Sequence, residues 1–147
     1  MRLLVVGGKG RMRAMSNSAQ DGLVIHAGAA DDPVPYYAAA DIFVLPTFYD
    51  PCSLSVSEAA ASGLPSVTTR FNGAAELLTE AVDGSIISDP ADDLELTAAL
   101  RPLMDAGVRQ RMGDAARKLA LKYTLDRNCD EIVSIYQQIG GQKLRAA

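Results

Sequence analysis

A parallel β-sheet covered by helices on both faces, followed by an all-helical stretch, is the α/β fold class that this 147-residue sequence predicts. Three observations carry it. Short, unbroken apolar runs rich in β-branched residues recur up to Pro90, and such runs suit strands buried on both faces. Segments with helical spacing stand between them, the alternation expected of strands joined by crossover helices. Beyond Pro90 the strand signal stops and only helical periodicity remains.

Leu3-Leu-Val-Val6 reads as the first strand, ending at Gly7-Gly8. A short helix is expected over Arg11–Ala19, then a strand over Leu23–Ala27 and a helix over Pro33–Ala40. Ile42-Phe-Val-Leu45 is the third strand, Ser66-Val-Thr-Thr69 the fourth and Ser85-Ile-Ile-Ser88 a short fifth. Helices over Ser53–Ser62 and Ala74–Ala81 separate them. Leu94, Ala98 and Leu103 mark a helix over Asp92–Asp105, and Met112, Ala116, Leu119 and Ala120 mark one over Arg109–Tyr123. Cys129, Ile132, Val133, Tyr136 and Ile139 mark the last, over Asp126–Ile139, with Asp126 as its cap. Gly140-Gly141 is expected to end it, leaving residues 1–139 as one domain and 140–147 as a frayed tail.

At 15.5 kDa and 48% hydrophobic the chain can bury a genuine core. A formal charge of −4 and a pI near 4.9 argue against a nucleic-acid or anionic-membrane partner. Cys52 and Cys129 share no metal-ligand spacing and His26 is the single histidine, so no metal is expected. Both cysteines read as reduced thiols, and no apolar run reaches transmembrane length. The expected location is cytoplasmic.

The chemistry concentrates between Phe48 and Pro65. Two carboxylates, Asp50 and Glu58, bracket a Pro51-Cys52-Ser53 loop and the opening of a helix, and Gly63-Leu-Pro65 turns the chain into the fourth strand. A carboxylate-bearing loop at the C-terminal edge of a parallel strand, beside a helix N-terminus, is where open α/β sheets bind nucleotides and sugars. Glu58 has a second reading, because Ser55-x-x-Glu58 also spells a capping box that serves only the helix start. Asp50 has one too, as a surface Asp-Pro turn. Cys52 reads as a small loop residue, not a nucleophile. Gly7-Gly-Lys-Gly10 lacks the Lys-Ser/Thr ending of a phosphate loop, and Lys9, Arg11 and Arg13 read as solvated. His26, inside an apolar strand, reads as structural. Glu76 reads first as a favourable acid in a helix's first turn.

These motifs, in this order, resemble the C-terminal half of the retaining glycosyltransferases of GT-B fold, the large group often called family 4. In that family a strand ends in proline, an acidic loop and a small-residue turn follow, and a helix bears a second acid. Here Pro46 ends the strand, Asp50 stands at the first acid, Pro51-Cys52-Ser53 replaces a Gly-Phe-Gly, and Glu58-Ala59 carries the second acid. Gly63-Leu-Pro65, Phe71-Asn-Gly-Ala-Ala-Glu-Leu77, Asp83-Gly84 and the glycine turn after the first strand match further family elements. The Asp-Pro-Cys-Ser spelling is most similar to the lipopolysaccharide-core glucosyltransferases. The resemblance spans nearly the whole chain.

The resemblance implies a Rossmann-like domain that binds a nucleotide sugar, of the UDP-glucose kind, without metal or other cofactor. It implies that Glu58 accepts hydrogen bonds from the ribose hydroxyls. It implies that Asp50 contacts the transferred hexose and steadies positive charge at the anomeric carbon. The amides of Cys52, Ser53 and Leu54 would face the diphosphate or sugar, and Gly28 and Ala29 would contact the base through their main chain. The family's basic Arg…Lys pair, its first strand–helix unit and the N-terminal domain that takes a glycan or glycolipid acceptor have no counterpart in this sequence. The chain by itself is therefore expected to bind UDP weakly and to transfer no sugar. The complete enzyme has room for peripheral membrane association. The absent strand would lie between the first and third strands here, so closure of that gap or pairing between copies is expected. A non-catalytic nucleotide-binding module and a piece of a nucleotide-sugar epimerase are the rival readings.

Overall fold

The computed structural model of the chain describes residues 1–8 and 22–145, with side chains to residue 140. Its strands are β1 (Leu3–Val6), β2 (Val24–Gly28), β3 (Phe43–Leu45), β4 (Ser66–Thr69) and β5 (Gly84–Ile87). Its α-helices are α1 (Val34–Ala39), α2 (Leu54–Ala61), α3 (Asp93–Leu100), α4 (Ala106–Ala120) and α5 (Leu125–Arg145), with 3-10 turns at Gly73–Leu77 and Pro102–Met104. All five expected strands are present, β2 and β5 displaced by one residue, and every pairing is parallel. The expected helix over residues 11–19, with Lys9, Gly10, Arg11 and Arg13, lies outside the described residues.

Side chains alternate across a strand, so Val44, Val67 and Ile87 share one face of the β3–β4–β5 sheet. There they pack with Leu96, Ala99 and Leu100 of α3, Leu103 of the second 3-10 turn, and Val108 and Met112 of α4. Phe43 has the opposite parity, and its ring meets Tyr37 of α1 edge-on at 6.0 Å between centroids. Helices therefore cover both faces, as the unbroken apolar runs predict.

The strands divide into two sheets, β1–β2 and β3–β4–β5. The expected closure between the first and third strands does not occur: among the described residues β1 pairs only with β2, and β3 only with β4. Leu3, Val24 and Ile25 stay exposed, so little buried apolar surface draws the small sheet onto the large one.

Local chemistry explains the other departures from expectation. Pro102 cannot continue a helix, which splits the expected Asp92–Asp105 helix into α3 and a 3-10 turn. The Asp105 carboxylate accepts from Val108 N–H at 2.8 Å and starts α4 three residues earlier than expected. The expected Ala74–Ala81 helix shortens to the Gly73–Leu77 3-10 turn, because Ala81 takes a left-handed φ of 61° and Thr79 N–H donates to Asp83 Oδ1 at 2.6 Å. Thr124, not Asp126, caps α5, its Oγ1 accepting from Arg127 N–H at 3.3 Å. Gly140-Gly141 does not end that helix, which continues to Arg145. His26, expected as a core or edge histidine, is exposed on β2, an edge strand of the two-stranded sheet.

Two glycines shape the floor beneath the site. Gly63, at φ 79°, closes α2 in a Schellman motif, with Gly63 N–H donating to Ala60 O and Leu64 N–H to Ala59 O, each at 2.9 Å. Gly113 lets α4 approach that turn, since a Cβ there would stand 2.1 Å from Gly63 O.

Glu95 of α3 clamps the end of β5. Its carboxylate accepts from Ser88 N–H at 2.8 Å, Ser88 Oγ–H at 2.9 Å and Asp89 N–H at 3.1 Å. The Ser88 main-chain hydrogen bond, then that of Asp89, holds the carboxyl below its ordinary value of 4.5. A depressed folded-state pKa contributes stability above the ordinary value and loses it as pH falls through the folded one. Glu95→Gln should thus lower the melting temperature at pH 7, and the gap to the wild type should narrow as the pH is taken below 4.5. Thermal melts across that range measure it, and a pH-independent gap would place the effect elsewhere.

Candidate functional site

The site is built on the C-terminal edge of the larger sheet. After β3 the chain runs through Pro46 and Thr47 into the acidic loop, and β4 ends beside it in Arg70-Phe71-Asn72. The two loops pair as a short parallel bridge: Asp50 N–H donates to Phe71 O at 3.1 Å and Gly73 N–H to Asp50 O at 2.9 Å. Threonine hydroxyls of β4 tie the strand ends together, Thr68 donating to Leu45 O at 2.9 Å and Thr69 to Thr47 O at 2.7 Å.

Asn72, 1% exposed, is the knot of this network. Its Oδ1 accepts from Ser53 N–H at 3.2 Å and Ala74 N–H at 3.0 Å, and its Nδ2 donates to Thr68 Oγ1 at 3.0 Å. One side chain thereby joins β4, the start of α2 and the 3-10 turn. Gly73 is required for the same junction, because a Cβ there would stand 1.8 Å from Pro51 O.

The structure brings Asp50, Cys52, Ser53, Leu54 and Glu58 onto one loop–helix unit. Asp50 is half-buried and its Oδ1 accepts from Cys52 N–H at 3.2 Å, the geometry of an Asx turn. The expectation that the amides of Cys52, Ser53 and Leu54 all face an anion needs correction. Cys52 N–H is engaged by Asp50 and Ser53 N–H by Asn72. Leu54 opens α2, where a helix's first amides lack intrahelical partners. Gly28, at φ 76°, ends β2 in the other sheet with Ala29 directly after it, and Gly28 O accepts from Gly7 N–H at 2.7 Å. Cys52 is exposed, as is Glu76 in the 3-10 turn.

The capping-box reading of Glu58 fails. Ser53 is the N-cap of α2, so Ser55 lies inside the helix and Glu58 stands in its second turn, past the amides that a cap serves. Its exposed carboxylate instead accepts from Tyr37 Oη at 2.8 Å. Burial first, then the hydrogen bond and charge of Glu58, push the Tyr37 hydroxyl up to about 12, with the Ser55 hydroxyl acting in the opposite sense. Ser55 in turn pairs with Ser53 Oγ at 3.2 Å. A polar row, Ser53–Ser55–Tyr37–Glu58, thus links the acidic loop to the second acid.

Sequence reasoning missed Asn72 and Tyr37. Asn72 stood inside a matched motif, and a polar side chain just after a strand at a sheet's C-terminal edge was the available signal. Tyr37 carried none, since it reaches Glu58 from 21 residues away. Among the described residues, no group of three or more His, Cys, Asp or Glu gathers, and no helix is long and apolar enough to cross a membrane.

Comparison with known proteins bears on this site. Residues 1–106 match the family described as Glycosyl transferases group 1. A GDP-mannose-dependent alpha-mannosyltransferase of Mycolicibacterium smegmatis is 33% identical over 112 residues, covering 76% of this chain and 29% of that enzyme. A D-inositol 3-phosphate glycosyltransferase of Acidothermus cellulolyticus is 25% identical over 157 residues, covering 99% of this chain and 35% of the other. The chain thus spans about a third of the length of these relatives. Among solved structures, WaaG, a glycosyltransferase involved in lipopolysaccharide biosynthesis, superposes with a TM-score of 0.73 at 26% identity, over 84% of this chain and 35% of WaaG. Anabaena HepE in complex with UDP and glucose shares the fold, with a TM-score of 0.73 at 21% identity, over 96% of this chain and 39% of HepE.

Proposed function

From the premise that this chain belongs to the group 1 glycosyl transferases, we propose that it forms the donor-binding part of an enzyme that transfers a hexose from a nucleotide sugar, with retention, to a glycan or glycolipid acceptor. One observation carries the reading. Glu58 presents an exposed carboxylate from the second turn of α2, the helix that follows the acidic loop, steadied by a tyrosine rather than spent on capping. A carboxylate is acceptor-only and takes two vicinal hydroxyl donors, which suits a ribose. Asp50 is proposed to meet the transferred sugar, with Oδ1 held by Cys52 N–H and the rest of the carboxylate turned to sugar hydroxyls and to charge developing at the anomeric carbon. The first amides of α2, those of Leu54 and Ser55, are proposed to face the diphosphate, since Val56 N–H already donates to Ser53 O at 3.3 Å, and the main chain at Gly28 and Ala29 is proposed to face the base. No step in this reading calls on a metal.

The proposed donor is a UDP-hexose, in keeping with HepE, which was solved with UDP and glucose, and an acceptor of the lipopolysaccharide-core kind accords with WaaG. The mannosyltransferase relative is named for GDP-mannose, so GDP belongs in the same experiment. Calorimetric titration with UDP, GDP, UDP-glucose and NAD separates the readings. Binding of a nucleotide and its sugar form supports donor recognition, and binding of NAD alone would favour a different nucleotide module. Glu58→Gln should weaken nucleotide binding by about 1–3 kcal/mol with little change in melting temperature, the cost of losing hydrogen bonds to a charged group. Asp50→Asn should spare the bare nucleotide and reduce the added affinity of its sugar. An unchanged nucleotide affinity in Glu58→Gln would remove the ribose assignment.

A further inference from the structure

We propose that Tyr37 is a positioning and specificity residue of this site, making it select nucleotides that carry an intact ribose cis-diol. The inference rests on the ribose reading of Glu58 and adds a residue and a chemical criterion to it. Three features of the geometry support it. Tyr37 Oη donates to Glu58 Oε2 at 2.8 Å, which commits the phenol's only proton and one lone pair of Oε2 and leaves that oxygen a second lone pair with which to accept. The carboxylate is thereby restricted in rotamer, though it stands exposed on a helix surface where a glutamate would otherwise sample several. The tyrosine is itself held, its ring packed edge-on against Phe43 of β3 and its hydroxyl faced by Ser55 of α2.

The consequence is chemical. With its proton given to Glu58, the Tyr37 oxygen keeps only acceptor capacity toward a ligand, and the carboxylate is an acceptor throughout. Two acceptor oxygens 2.8 Å apart then stand side by side. That pair suits two adjacent hydroxyl donors, as in a ribose 2′,3′-diol, and leaves an acceptor unmatched when one hydroxyl is missing. A site built to bond a hydroxyl rejects the analogue that lacks it more strongly than it rejects a change of size. The phenol's elevated proton affinity, set first by burial and then by Glu58, keeps that proton in place throughout the physiological pH range. Glu58 is the one charged group among those that act on the phenol, and Ser55 the other polar one.

The test compares UDP with 2′-deoxy-UDP (or GDP with its 2′-deoxy form, if the first titration favours guanine) on the wild type and on Tyr37→Phe. The phenylalanine keeps the ring and its contact with Phe43, and an unchanged melting temperature verifies that the fold is kept. Tyr37→Phe should weaken the ribonucleotide by about 3- to 10-fold, the range of one hydrogen bond, and the deoxynucleotide by less than about 2-fold. Equal weakening of both, or a wild type that binds both equally, would overturn the inference while leaving nucleotide recognition standing. A wild type that binds neither nucleotide would instead overturn the donor-site reading and this inference with it. A ligand-free measurement checks the pairing separately: a 13C NMR titration of the tyrosine Cζ signals, assigned with Tyr37→Phe. In Glu58→Gln the Tyr37 midpoint should fall from about 12 toward, but not to, the ordinary 10.0, because burial persists. A midpoint unmoved by Glu58→Gln would also overturn the inference.

Discussion

Asn72→Ala should lower the unfolding free energy by about 3 kcal/mol and abolish the order of the acidic loop. Removing the side chain leaves two buried donors without an acceptor. Ser53 N–H and Ala74 N–H, both on buried residues, lose their acceptor, and each unsatisfied buried donor costs about 1–3 kcal/mol. Thr68 Oγ1 loses a donor but keeps its bond to Leu45 O, so the strand side suffers less. Urea denaturation should show a lower midpoint at an unchanged slope, the mark of lost stability without a change in surface exposed. Nucleotide binding should weaken as well, because the freed start of α2 carries Leu54 and, one turn on, Glu58. A loss below about 1 kcal/mol would mean that water replaces the amide at both donors.

Gly73→Ala should cost about 3 kcal/mol or more, from steric rather than hydrogen-bond causes. The added Cβ would stand 1.8 Å from Pro51 O and 2.8 Å from Pro51 C, and neither is the yielding tip of a flexible side chain. Relief requires the two loops to part. Gly73 N–H also donates to Asp50 O, so the movement that admits the methyl pulls at the acid. Gly140→Ala is the control, since nothing lies within 4 Å of a Cβ there and the residue sits inside α5. Alanine at that helical position should be neutral or stabilising by up to about 1 kcal/mol. Calorimetric melts of both variants provide the comparison. Equal effects would show that backbone entropy, not the Pro51 contact, governs the response at Gly73.

Local patterning determined a good deal by itself. The runs at Phe43–Leu45 and Ser66–Thr69, the first apolar and the second rich in β-branched residues, are strands because such side chains suit a parallel sheet covered on both faces, whereas Leu3–Val6 forms its strand with Leu3 and Val6 exposed. Gly63 ends α2 because glycine takes the left-handed cap at little cost. The order of acid, turn, second acid and Gly-Leu-Pro turn was enough to reach the family, since each of these elements is written within a few adjacent residues. Gly140-Gly141 does not punctuate the chain, because about 1 kcal/mol per glycine does not stop a helix.

Only the tertiary structure decided what the site residues touch. Asn72 meets Ser53 from 19 residues away and Tyr37 meets Glu58 from 21, pairings that no local period encodes. They exist because parallel strands need a crossover between them, which brings the Asn72 and Ser53 loops together at one edge and sets the helices that carry Tyr37 and Glu58 side by side. The same edge consumed the Cys52 and Ser53 amides that the motif alone offered to an anion. The division into two sheets was likewise settled by packing, for Leu3, Val24 and Ile25 carry strand propensity but find little apolar surface to bury against. Propensity is written residue by residue, whereas hydrogen-bond partners and burial depend on which segments the fold places side by side.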